Sequence, residues 1–345
     1  MQKIILLIFL CLQFIIQISC TKQIYDVVYP TLNDGRYDSE FPYRNASEQL
    51  EEVSRSIKMM NYIAYYKAYI FSENEKISKS DLNNRIIKER AEDEVYFNET
   101  VSGTATIIFY DGVKVGLLTC AHIGNLPDTV FTYYESSAGQ NKQLIQQMAI
   151  KLREHYFINE IPGDGEFEIV VSDEKSDLAL LSKRVSRDPF QEIRPFKYPF
   201  GESSDLELGS FVYIIGYPMG HKMITKGIVS NTRDDKSDSF LIDALFNRGF
   251  SGGFILGIRD GVPNFELVGI VKSVSVKNQY ILIPDPKNNE HKTQFPYIGD
   301  NYIKKSEAIN YGITYTISTD EIIKFLKKNE KQFLQKGFNF NYLTK

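Results

Sequence analysis

The chain has 345 residues, 43% hydrophobic and 24% charged, which is ordinary globular composition and enough for one large domain or two smaller ones. Its 40 Lys and Arg against 44 Asp and Glu give a formal net charge of -4, so no basic field exists to hold nucleic acid as a partner. Three Cys, at 11, 20 and 120, are too few for a disulfide framework, so a large hydrophobic core must hold the fold.

In chain order, Lys3 precedes an apolar run from Ile4 to Ile16, closed by Gln17 and the small Ser19. This pattern predicts a signal peptide over residues 1–20, and the run is shorter than the roughly 20 residues of a membrane span. The stretch Ile16-Gln17-Ile18-Ser19-Cys20 resembles a relaxed bacterial lipobox, which makes Cys20 a lipidation candidate and a membrane anchor. Ordinary cleavage after Cys20 is the alternative. Either way the protein is expected to be exported: secreted, periplasmic or anchored at the cell envelope. Residues 21–93 read as an N-terminal helical extension and linker. Within them Ser47 to Phe71 reads as one helix, because Leu50, Val53, Ile57, Met60 and Ala64 recur at three- or four-residue steps.

From about Glu94 the pattern changes to short β-rich runs separated by turns. These are Thr104–Tyr110, Val113–Leu118, Glu168–Val171, Leu178–Leu181, Phe211–Ile215, Gly227–Ser230, Phe240–Ile242, Phe254–Gly257, Leu267–Val271 and Ile313–Ile317. Their spacing predicts a mainly β domain, a sandwich or barrel, over residues 94–335. A last helix is expected from Thr319 to about Lys336, leaving 336–345 as a tail.

Three motifs carry chemistry. Gly116-Leu117-Leu118-Thr119-Cys120-Ala121-His122 runs an apolar strand into a His, which can take and return a proton. Ser176-Asp177-Leu178-Ala179-Leu180-Leu181 places an Asp at the head of an apolar strand, where a buried carboxylate needs a partner such as an imidazole. Asn247-Arg248-Gly249-Phe250-Ser251-Gly252-Gly253 sets a Ser in a glycine-rich turn whose N–H groups can converge on an oxyanion, at Gly249, Phe250 and Ser251. The pentapeptide also fits the Gly-x-Ser-x-Gly elbow of α/β-hydrolases, but their order is Ser, acid, His. Here the order is His122, Asp177, Ser251, and the one His after Ser251 is His291, in a polar run. His155, His221 and His291 share no metal-ligand spacing, so neither metal nor cofactor is expected.

The motifs and their order resemble trypsin-like serine proteases. The stretches Ile215-Gly216-Tyr217-Pro218-Met219-Gly220 and Thr225-Lys226-Gly227-Ile228-Val229-Ser230, with Gly312 to Ser318, are similar to the HtrA/Deg branch, though without a PDZ module before the end at Lys345. The resemblance implies two six-stranded antiparallel β-barrels with a cleft between them. It implies His122, Asp177 and Ser251 as catalytic residues of a serine endopeptidase acting on protein or peptide substrates. It places the specificity pocket at Leu245, Ile270, Val271 and Lys272, and Leu245 in the selecting position implies an apolar residue before the cut. Phe250 stands where zymogen-type relatives carry an activating Asp. Arg248 and Phe250 depart from the branch's usual residues beside the nucleophile, and Ser275–Asn310 is longer than expected there. A catalytically silent homologue serving as a binding module, or an esterase with the same residues, are the competing functions.

Overall fold

The computed structural model describes residues 33–343 apart from 135–142, 159, 162, 164, 187–191, 233–238 and 285–300. The signal peptide, Cys20 and His291 lie outside the described residues. No described helix is long and apolar enough to cross a membrane.

Helix α1 (Ser47–Ser56) ends at Ile57, and strand β1 (Ile57–Ile70) follows at once. The helix expected through Phe71 is therefore a helix only in its first ten residues. Beyond them Met60, Tyr62, Ala64, Tyr66 and Ala68 are buried at two-residue steps. The aromatic and β-branched residues between 57 and 70 suit a pleated surface, and pairing on both sides decides the matter. After the short helix α2 (Asn84–Arg90), β1 pairs along its whole length with β2 (Asp93–Tyr110). On its other side it pairs with β5 (Ile145–Phe157).

With β3 (Lys114–Cys120), β4 (Thr129–Tyr133), β6 (Glu168–Asp173) and β7 (Leu178–Arg184), these strands form a seven-stranded sheet in the order β4-β5-β1-β2-β3-β7-β6. The second half is a closed six-stranded barrel in the order β10-β13-β12-β11-β8-β9. Its strands are β8 (Phe211–Gly216), β9 (Met223–Asn231), β10 (Leu241–Ile242), β11 (Phe254–Ile258), β12 (Phe265–Pro284) and β13 (Asn301–Ser318). The architecture is mainly β, one barrel closed and its counterpart an open curved sheet. Much of the long segment Ser275–Asn310 is regular: its two arms extend β12 and β13 as a ribbon paired out to Pro284 and Asn301.

The predicted C-terminal helix divides at Asn329 into α3 (Thr319–Lys328) and α4 (Glu330–Gln335), and Ser318 caps its start through the Glu321 N–H. The tail beyond packs back on the first sheet. Phe338 and Phe340 are buried, Phe338 edge-on to Phe109 at 4.9 Å. A Cβ at Gly116 would stand 3.0 Å from the Phe338 ring and 3.1 Å from the Phe109 Cβ, so that strand position is tight for any larger residue.

Candidate active site

Strand β3 delivers His122. Its residues Val115–Cys120 are buried between β2 and β7, and a tight turn over Ala121–Gly124 carries the His out of the sheet. Asp177 lies just before β7 in the left-handed region, φ 57°. That conformation costs an Asp about 1 kcal/mol, and three bonds to the segment leaving β3 offset it. The Ala121 N–H donates to the Asp177 carbonyl at 3.1 Å, and the His122 N–H donates to Oδ1 at 2.9 Å. His122 Nδ1 lies 2.8 Å from Oδ2 and 3.0 Å from Oδ1. The Asp side chain is 9% exposed and the His side chain 42%. A carboxylate oxygen accepts here, so the Nδ1 side of the ring is the donor in this pair.

Ser251 sits in the turn between β10 and β11. Gly249 and Gly252 have φ 104° and 85°, which only glycine adopts without strain. A Cβ on Gly252 would stand 2.0 Å from the Thr104 carbonyl, and one on Gly249 would stand 2.3 Å from the Tyr217 carbonyl. The turn is tied to both halves of the molecule: the Thr104 N–H donates to the Ser251 carbonyl at 2.8 Å, and the Gly252 N–H donates to the Val271 carbonyl at 2.9 Å. The Ser251 hydroxyl donates to the Lys272 carbonyl at 3.0 Å. His122, Ser251 and Gly249 line one cavity of about 620 Å³, together with Phe246, Met219 and Val274.

Both peptide planes beside Gly249 are held. The Met219 N–H donates to the Arg248 carbonyl at 2.8 Å, and the Thr104 hydroxyl donates to the Gly249 carbonyl at 2.7 Å while accepting from the Tyr217 N–H at 2.9 Å. The N–H groups of Gly249 and Ser251 are not engaged by any other described residue. Phe250 differs from expectation: its N–H donates to the Asn247 carbonyl at 3.2 Å and its ring is buried beside Phe246, so it shapes the turn without offering a donor. Thr104 carries no motif. A fully buried hydroxyl in an apolar strand was the one available signal for it.

The expected pocket residues divide. Leu245 is 66% exposed and does not line the cavity, because the alternation of the chain turns its buried neighbour Phe246 inward instead. Ile270 and Val271 are buried in the barrel wall, and Lys272 contributes the carbonyl that holds Ser251. Cys120, His122 and Asp177 bring potential ligand atoms within 4.8 Å of one another. Their chemistry is not that of a metal cage. Burial first, then the Asp177 charge, pushes the Cys120 thiol well up, so it stays a neutral donor to the Val271 carbonyl, and His122 Nδ1 is already committed. His155 lies away from the cavity, with its ring 5.4 Å from that of Tyr65.

Residues 103–270 match the family model of the trypsin-like peptidase domain. The chain is similar to an HtrA-like serine protease of Staphylococcus haemolyticus, 25% identical over an alignment of 169 residues, with 41% of this chain and 25% of that protein covered. It is similar to a probable periplasmic DegP-like serine endoprotease of Bartonella henselae, 36% identical over 132 residues, 34% of this chain and 24% of that protein. Among solved structures it is similar to the serine endoprotease from Yersinia pestis, 17% identical, covering 84% of this chain and 67% of that one with a TM-score of 0.39. The chain spans about a quarter of the length of these two curated relatives.

Proposed function

From a chain that carries a trypsin-like peptidase domain over residues 103–270, we propose a serine endopeptidase whose catalytic residues are His122, Asp177 and Ser251. The observation that carries the reading is the Asp177 carboxylate 2.8 Å from His122 Nδ1, with His122 and Ser251 lining the same cavity. Ser251 Oγ bonds to the scissile carbonyl carbon as its proton passes to Nε2. The oxyanion accepts from the Gly249 and Ser251 N–H groups. Collapse breaks the C–N bond, the amine leaves with the His122 proton, and water then releases the acyl group by the same path. Before attack the Ser251 hydroxyl must leave the Lys272 carbonyl, a rotamer change that gives up a bond worth about 1 kcal/mol.

Phe246 and Val274 on the cavity wall support an apolar residue before the cut. Dominant cleavage after Lys or Arg in a peptide library would refute that preference. The N-terminal sequence supports export and, through Cys20, membrane anchoring; intact mass of the mature protein distinguishes a lipidated from a free N-terminus.

Engagement of the Ser251 hydroxyl by Lys272 is the one observation that favours the silent-homologue reading. A fluorophosphonate separates the two. Wild type should be labelled, while Ser251→Ala and His122→Ala should not. Folded wild-type protein that stays unlabelled leaves the peptidase reading without support.

A further inference from the structure

A second cavity, of about 590 Å³, adjoins the catalytic one at β12. The two share Ser273 as a wall residue. Lys272 links them differently: its carbonyl holds the Ser251 hydroxyl, and it also lines the second cavity. Four lysines line that cavity, Lys175, Lys272, Lys324 and Lys328, against two carboxylates, Asp173 and Glu321. Both carboxylates are already spent on the cavity's own lysines, with Lys328 Nζ 2.6 Å from Asp173 and Lys324 Nζ 2.7 Å from Glu321. Lys175 and Lys272 form no ion pair with any described residue. The hydroxyl-bearing Ser176 and Tyr315 complete a polar, cationic lining within a chain whose net charge is -4.

We propose that this cavity is a binding site for acidic side chains of the polypeptide being cleaved, held by Lys175 and Lys272 across Ser273 from the catalytic cavity. The proposal rests on the peptidase reading and adds a substrate class to it. The reach is short. The two cavities share Ser273 and an extended peptide advances about 3.3 Å per residue, so the acidic residue falls within a few positions of the cut bond. Attraction between partly solvated charges is modest, about fivefold per pair, and weakens with salt.

The test uses the full chain carrying Ser251→Ala, which binds without turnover. Two fluorescein-labelled peptides are compared by anisotropy: one carries Asp and Glu beside an apolar residue, the other the matched Asn and Gln. The acidic peptide should bind about tenfold tighter at low salt. Adding Lys175→Glu should remove most of that advantage while leaving the neutral peptide's affinity unchanged. Equal binding of the two peptides, or an advantage untouched by Lys175→Glu, overturns the proposal. So does displacement of the acidic peptide by micromolar inorganic phosphate, which would mark a small-anion site instead. Failure of the peptidase reading is seen separately, in wild-type protein that takes no fluorophosphonate label. Labelled protein indifferent to acidic residues sinks the cavity proposal alone.

Discussion

Replacing Thr104 with valine removes one hydroxyl and little volume from a fully buried position. That hydroxyl donates to the Gly249 carbonyl at 2.7 Å and accepts from the Tyr217 N–H at 2.9 Å. Valine strands both backbone groups without water. Each orphaned group costs about 1–3 kcal/mol, and partial relaxation brings the expected loss to about 2–4 kcal/mol. The kinetic effect is separate. Losing one oxyanion donor outright slows acyl chemistry about a hundredfold to a thousandfold. Thr104→Val frees the Gly249–Phe250 plane, which lies between the two proposed donors and carries neither, so the effect is indirect and the fluorophosphonate labelling rate should fall about tenfold. Thr104→Ser keeps the hydroxyl and should restore most of that rate. The measurements are the second-order labelling rate under conditions where every variant is folded, and the urea midpoint. A Thr104→Val protein that is less stable but labels at the wild-type rate would refute the coupling of Thr104 to the oxyanion turn.

Three further outcomes follow from the packing. Gly252→Ala combines a left-handed φ with a Cβ 2.0 Å from the Thr104 carbonyl, so it should lose more than about 3 kcal/mol in a denaturant melt; a near-native midpoint contradicts the tight turn. Phe338→Ala should cost about 3–5 kcal/mol, because it empties the contact with Phe109 and Gly116; the labelling rate per folded molecule should stay unchanged, since the site lies elsewhere. Burial pushes the Asp38 carboxyl up to about 6, against the Gly261 N–H bond and with Glu40, Asp260 and Asp34 adding to the rise. A carboxyl raised above its unfolded value contributes stability that is complete below about pH 4 and is lost as the pH climbs through 6. Asp38→Asn should therefore gain on wild type by about 1 kcal/mol between pH 4 and pH 8 in urea midpoints, and a pH-independent difference counts against it.

The residues legible in the sequence were those whose role is written in their immediate neighbours. His122 follows a buried strand, Asp177 heads one, and Ser251 lies among glycines whose φ values the turn requires. Thr104 was not legible, because its partner Gly249 lies 145 positions away and no local pattern marks the pair. Leu245 was misplaced by counting back from Ser251, which locates a residue along the chain but not the side to which it points. Strand β1 satisfies both patterns: Ile57, Met60 and Ala64 recur at three- or four-residue steps, while Met60 and Ala64 also fit the alternation through Tyr62, Tyr66 and Ala68. Pairing with β2 and β5, both distant in sequence, resolves the ambiguity.

The bonds from Thr104 to Gly249, Ser251 and Tyr217 join the open sheet to the closed barrel, and no disulfide backs them up among the described residues. The glycine-rich turn that carries Ser251 is thus also a clasp between the two halves. One buried apolar cluster also runs from Ile57, Ile107 and Leu117 of the sheet to Ile215, Phe254 and Leu267 of the barrel, so whatever loosens that docking disturbs the serine's turn and the shared core together.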